Sequence, residues 1–252
     1  MRKNSRGELV GHRTPEQLRN DEEFRNIALE QIKNGGENWA MHSLVMMKRN
    51  ALSRVLYLNE LYKEIVPVPG VICEFGVHWG ASLATLLNLR NLYEPYVTDR
   101  MIYGFDTFSG FTGVHEKDGE GFQAGDFASV DNYDETLNKV LNYHESISAF
   151  PTRRMFELIK GDASVTIDGW LEANPGATIA LAIFDMDVYE PTKNVLEKIK
   201  DRLTSRSILV FDEFSHQAFP GEVRAVREVF DMKDVTFSRS VHTNYAAIMR
   251  FK

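Results

Sequence analysis

One cysteine, Cys73, stands in 252 residues, so the chain has no internal disulfide to hold it. Cys73 lies within an apolar run and reads as a buried core thiol, and a reducing, cytosolic compartment fits. Long apolar runs are missing too, and none approaches the roughly 20 residues needed to cross a bilayer. The N-terminus, M-R-K-N-S-R-G-E-L-V-G-H-R-T-P-E, lacks the apolar centre of a signal peptide. Positive charge is in deficit: 29 Lys and Arg against 36 Asp and Glu give a net charge of −7. That balance offers no field for nucleic acid and disfavours an anionic membrane. No His/Cys set has zinc spacing, and there is neither an internal repeat nor a low-complexity tract. What remains is a globular composition, 43% hydrophobic and 26% charged, of a size for one domain with additions.

The chain is organised around Val71–Ser82, V-I-C-E-F-G-V-H-W-G-A-S. A short apolar run meets Glu74, then Phe75, Gly76 and a polar turn that closes on Gly80. This order reads as buried strand, glycine turn and helix start. Gly76 and Gly80 allow a sharp turn and close approach of a ligand. The helix after Gly80 presents free N–H groups and the positive end of its dipole. Glu74 suits an amine or hydroxyl and not a phosphate. Two readings stand: a βα turn that needed small residues, or a loop for a nucleotide-like ligand without a phosphate at this point.

Around that stretch, Thr14-Pro15-Glu16 predicts a helix start, with a helix to Lys33 broken at Asn34-Gly35-Gly36. Residues 1–13 read as loose. A second helix is predicted over Trp39–Glu64, with Leu44, Met47, Leu52, Leu56 and Leu61 as its apolar stripe. Strands are predicted at Met101–Phe105, Met155–Lys160, Ile179–Phe184 and Ser207–Phe211, with helices at Thr166–Ala173, Pro191–Leu203 and from Pro220 to about Phe230. Val235–Arg239 and Tyr245–Phe251 read as a closing antiparallel pair. Residues 112–150, long, polar and aromatic-rich, read as an inserted lid or binding wall. The alternation after residue 70 predicts an α/β fold with a mainly parallel sheet and its ligands beyond the carboxyl ends of the strands.

Glu74, Asp106, Asp185 and Asp212 each follow directly on an apolar strand, and in such a sheet those positions converge on one crevice. Any one of them alone would be a turn acid or cap. Asp106, on the second strand, suits the two hydroxyls of a ribose. Asp162, in L-I-K-G-D-A-S, either reaches an adenine amino group or is an exposed turn acid. Asp185-x-Asp187 and Asp212-Glu213 crowd four carboxylates at neighbouring strand ends. Like charges this close raise one another's pKa unless a cation sits among them, and a hard divalent ion such as Mg²⁺ is the expected partner.

E-F-G-V-H-W-G-A-S, G-F-D-T-F-S-G-F, F-D-M-D-V-Y-E-P-T and V-F-D-E-F followed by F-P-G-E-V-R-A-V-R-E-V-F together resemble the macrocin O-methyltransferase group over roughly residues 71–230. The resemblance implies a Rossmann-like class I methyltransferase: a mainly parallel seven-stranded sheet, helices on both faces, an N-terminal helical extension over residues 1–66 and the methyltransferase domain over 67–252. It implies S-adenosylmethionine and a divalent metal, with a sugar hydroxyl as acceptor. By position, Glu74, Phe75, Gly76, Gly80 and Ser82 resemble the cofactor loop. Asp106 resembles the ribose acid, with Thr107, Phe108 and Ser109 beside it, and Asp185 also borders the cofactor. Asp185, Asp212 and Glu213 resemble the metal triad, although the group often has two aspartates where this chain has Asp212-Glu213. Asp187 resembles the general base, with Asp185 and His144 as rivals. A homo-oligomer, a dimer or higher, is expected.

The expected chemistry is direct methyl transfer with no covalent intermediate. A nucleotide-dependent oxidoreductase is the rival enzyme, but G-x-G-x-x-G is lacking and the later acids would go unused. A non-catalytic nucleotide- or metal-binding module is the other alternative.

Overall fold

The computed structural model describes residues 3–8, 14–243 and 245–252, so most of residues 1–13, read as loose, lie outside the described residues. Seven strands form one sheet: β1 (Val71–Phe75), β2 (Ile102–Asp106), β3 (Phe156–Lys160), β4 (Ile179–Phe184), β5 (Leu203–Phe211), β6 (Val235–Ser238) and β7 (Ala247–Phe251). Their order is β3-β2-β1-β4-β5-β7-β6, with the pairs β5–β7 and β7–β6 antiparallel and the other pairs parallel. The predicted α/β class, mainly parallel sheet and closing pair are all present. β1 and β4 are buried at every position, as their unbroken apolar runs require of strands covered on both faces.

Helices α3 (Arg49–Ile65), α4 (Ala81–Tyr93) and α5 (Tyr133–Ser146) cover one face, around Leu58, Leu61, Leu86 and Ile183. Helices α6 (Ala163–Ala173), α7 (Tyr189–Ile199) and α8 (Gly221–Val229) cover the other, around Phe75, Ile167, Leu196 and Val226. The connections run to opposite faces on either side of β1 and β4, which opens a crevice at the carboxyl ends of those two strands. Hydrogen bonding continues one residue past the strands: Gly76 N donates to Phe105 O (2.9 Å), Asp185 N to Phe75 O (2.8 Å) and Asp212 N to Phe184 O (3.0 Å). That extra rung fixes the strand-end acids side by side.

The N-terminal helix α1 (Pro15–Asn34) starts as predicted. Thr14 Oγ1 accepts from Gln17 N, and Gln17 Oε1 accepts from Thr14 N. The single helix predicted over Trp39–Glu64 is instead split. A short α2 (Trp39–His42) passes into a 3₁₀ turn (Ser43–Met46), and α3 begins only at Arg49. Met47 and Lys48 are extended, with ψ of 114° and 153°, and Lys48 is ion-paired with Asp21 of α1. This packing against α1 overrides the local helical preference. The predicted stripe is also shifted: Leu52 and Leu56 are exposed, and the buried face is Tyr57, Leu58, Leu61, Tyr62 and Ile65.

Residues 112–150 are only partly an insertion. Their second half is α5, whose Leu137 and Leu141, four apart, bury against α4 as the ordinary crossover between β2 and β3. α6 starts at Ala163, three residues earlier than predicted, because Asp162 caps it by accepting from Ser164 N at 2.8 Å. α7 starts at Tyr189 with Pro191 in its first turn and stops at Ile199, where a 3₁₀ turn leads into β5. Among the described residues no helix is long and apolar enough to cross a membrane.

Candidate active site

A cleft of about 470 Å³ opens at the carboxyl ends of β1, β2, β4 and β5. At one end it is lined by Gly76, His78, Asp106, Thr107 and Asp162, and at the other by Asp185, Asp187, Glu213, Pro191 and Phe219. The nucleotide-loop residues and the later acids therefore share one space.

The first end is built by backbone. Gly76 has φ +92°, and a Cβ there would lie 2.0 Å from Asp185 O, so only glycine fits between β1 and β4. Gly80 takes φ +76° at the start of α4, against Leu137. Asp106 accepts from His78 N (2.7 Å) and from Phe108 N (2.6 Å), which locks its carboxylate at the base of both loops. His78 and Phe108 reach it with φ of +50° and +56°, conformations that cost non-glycine residues energy. Thr107 Oγ1 donates to Gly110 O and accepts from Ser109 N, shaping the turn after β2.

Several expected cofactor residues do not face the cleft. The Phe75 ring is core, stacked between Phe105 and Phe184, because its strand is covered on both faces. Ser82 is buried and receives a hydrogen bond from Arg54. Glu74, 1% exposed, lies behind Gly76 with Oε2 lacking a hydrogen-bond partner. Its burial, and then the neighbouring acids Asp185, Asp106 and Asp212, push its pKa well up despite Arg54.

The second end is built by side-chain charge. Asp187 is buried with φ +64°, and burial, then Asp185 and Glu213, raise its pKa well above the carboxylate range. Burial, with Asp212 beside it, lifts Asp185 to about 7 against the pull of Arg54. Glu213 is pushed up to about 8 by burial, Asp212 and Asp185. Glu222, at the start of α8, is fully buried, accepts from Glu213 N at 3.0 Å and is raised for the same reasons. His144, the rival base, sits on α5 outside the cleft wall.

Arg54 of α3 is the main surprise. Its guanidinium donates to Asp212 Oδ1 (2.7 Å), Asp185 Oδ2 (2.9 Å) and Ser82 Oγ (2.8 Å). Burial opposes its charge, but Asp212 and Asp185 outweigh that and raise its pKa. The donor chemistry expected of a metal triad is present, yet two of its three members are tied to Arg54. Among the described residues no group of three or more His, Cys, Asp or Glu side chains is placed to hold a metal ion. As arranged, these acids do not fit the expected Mg²⁺ site.

Residues 3–8 form a second surprise, a strap along the mouth of the cleft. Lys3 pairs with Asp126, Arg6 O accepts from Phe127 N at 2.8 Å, and Glu8 Oε1 lies 3.2 Å from His78 Nε2. Gly7, at φ +79°, packs so closely on Asp126 that a Cβ would fall 2.2 Å from its carboxylate. Glu8 lines the cleft together with Phe111, Phe127 and Phe219.

A methyltransferase-domain family matches residues 73–214. No curated protein matches the sequence. Among solved structures, the chain is similar to one described as CalS11, calicheamicin methyltransferase, at 34% identity and a TM-score of 0.87, with 99% of each chain covered. It is similar at 33% identity and a TM-score of 0.80 to the apo structure of CalS11, described as TDP-rhamnose 3'-O-methyltransferase, covering 95% of this chain and 96% of that one. The O-methyltransferase NovP shares the fold at 19% identity and a TM-score of 0.58, with 79% and 80% covered. The resemblance drawn from the motifs is borne out, and the chain belongs to the methyltransferase-domain family.

Proposed function

We propose that this methyltransferase carries the methyl group of S-adenosylmethionine to a hydroxyl of a sugar, with a nucleotide-linked sugar as the favoured acceptor. One observation carries the reading: a glycine loop and ribose-type acid open directly onto a buried carboxylate in a single cleft. The full-length likeness to a protein described as acting on TDP-rhamnose supports the acceptor class.

In this reading Gly76, Asp106, Thr107 and Asp162 hold the nucleoside, and Glu74 lies buried behind the loop. Phe111, Phe127 and Phe219 offer apolar faces to the acceptor. The sugar oxygen attacks the methyl carbon. The carbon–sulfur bond breaks with its electron pair going to sulfur, and the neutral thioether leaves. The hydroxyl proton passes to Asp187, whose raised pKa makes it a stronger base than a surface carboxylate. Residues 67–252 act as the catalytic domain, with residues 1–66 as an extension that reaches the site through Arg54.

A panel of nucleotide-linked sugars with methyl-labelled S-adenosylmethionine tests the reading. Label should appear on the sugar, and Asp187→Asn should remove it. Cofactor binding with no label on any sugar would favour the non-catalytic module.

A homo-oligomer belongs to the same proposal. α1 buries none of its residues, and Ile27, Leu29, Trp39, Met41 and Val45 stand exposed along the extension. A second copy of this surface is the partner proposed, and light scattering on the purified chain should give more than one protomer.

A further inference from the structure

Two cations compete for one place in the cleft. The motifs put a divalent ion among Asp185, Asp212 and Glu213, whereas the structure puts a guanidinium between the first two. Arg54 Nη2 is 2.9 Å from Asp185 Oδ2, Nη1 is 2.7 Å from Asp212 Oδ1 and Nε is 2.8 Å from Ser82 Oγ. The planar guanidinium thus spans two carboxylates and a hydroxyl through three separate nitrogens, a set of fixed donor directions that a lysine ammonium does not share. A divalent ion needs carboxylate oxygens drawn to one point at about 2.0–2.6 Å. The fork instead holds the two oxygens on separate nitrogens.

We infer that Arg54 is the resident cation of this cleft, and that the gap between Asp185 and Asp212 holds either its guanidinium or a divalent ion, never both.

The surroundings bear on this. Glu74, 1% exposed, has Oε2 without a hydrogen-bond partner, and Glu213 Oε2 is buried and likewise lacks one. Asp187 and Glu222 are buried close by. Asp185, Asp212, Glu74 and Glu213 all feel this one guanidinium, and its loss would leave their hard oxygen donors without it. Arg54 also comes from α3, outside the residues matched by the methyltransferase-domain family. The extension therefore decides which cation the domain holds. Exclusion of this kind is reciprocal: an ion that enters must weaken the hold on Arg54 by the factor by which Arg54 weakens the ion. The inference concerns ion binding and does not depend on which acceptor is methylated.

The test is Mn²⁺ uptake by the full chain, read from the free-ion signal in electron paramagnetic resonance. Arg54→Gln should bind one Mn²⁺ about ten-fold or more tightly than the wild type. The double variant Arg54→Gln with Asp185→Asn should return to weak binding. Arg54→Lys keeps the charge but cannot bond both carboxylates as a fork, and it should fall between wild type and Arg54→Gln. Circular dichroism shows which variants fold. The inference is overturned if the wild type takes up Mn²⁺ as tightly as a folded Arg54→Gln. Should Arg54→Gln fail to fold, equal affinity of Arg54→Lys and the wild type overturns it instead.

Discussion

The two ends of the cleft are made from different materials. The Gly76–Asp106 end is backbone work: glycine at φ +92°, two loop amides on one carboxylate, and two non-glycine residues held at positive φ. The Asp185–Glu213 end is side-chain work: buried acids whose pKa values are raised, with Arg54 threaded among them. A binding surface made of backbone depends on the chain's path. A reactive surface made of charges depends on which charges meet. Substitutions at the two ends should therefore fail in different ways.

The widest gap is expected at Asp187. Asp187→Asn should cut kcat by about 10²–10⁴, the usual worth of a positioned base, while calorimetry finds S-adenosylmethionine affinity unchanged within about two-fold. Lost affinity with kcat intact would merge the two ends. Gly76→Ala should do the opposite and cost the fold itself, by about 2–4 kcal/mol in urea unfolding, because its Cβ meets backbone and its φ is strained. An unchanged urea midpoint would remove the claim that the loop is conformationally fixed. Asp106→Ala leaves His78 N and Phe108 N unpaired. A loss of about 1–3 kcal/mol, roughly 5–150-fold in cofactor affinity by calorimetry, is expected there.

The smallest effect is on pH. Asp185 is raised to about 7 and Glu213 to about 8, both above their values in an unfolded chain. The folded state thus keeps protons that the unfolded state releases near pH 4. The associated stability is fully present below about pH 4 and is lost as pH rises through about 7 and 8. Melting temperature should fall between about pH 5 and about pH 9, and Glu213→Gln should flatten the upper part of that fall. A melting temperature that rises across this window would contradict the placement of these acids.

Much of this was legible before the fold was known. Val71–Cys73, Ile179–Phe184 and Ile208–Phe211 are short apolar runs each followed directly by an acid, and burial on both faces leaves such runs little alternative to a strand. The α5 helix was harder to see, since only Leu137 and Leu141 mark its buried side within a charged segment. The strap was hidden because Lys3 meets Asp126 and Glu8 meets His78 only across folded space. Arg54 did leave a signal. It stands three and four residues before Tyr57 and Leu58 on the face that continues to Leu61, Tyr62 and Ile65, a charge on the inward side of a helix. The stripe through Leu52 and Leu56 pointed to the wrong face.

Local sequence alone settled the order of strands and the acid at each strand end, because apolar runs, glycine turns and caps act between near neighbours. Only the tertiary structure decided which cation those acids meet. Arg54 is 131 residues from Asp185 and 158 from Asp212, and the partner of a charge is whatever the fold brings within hydrogen-bonding distance.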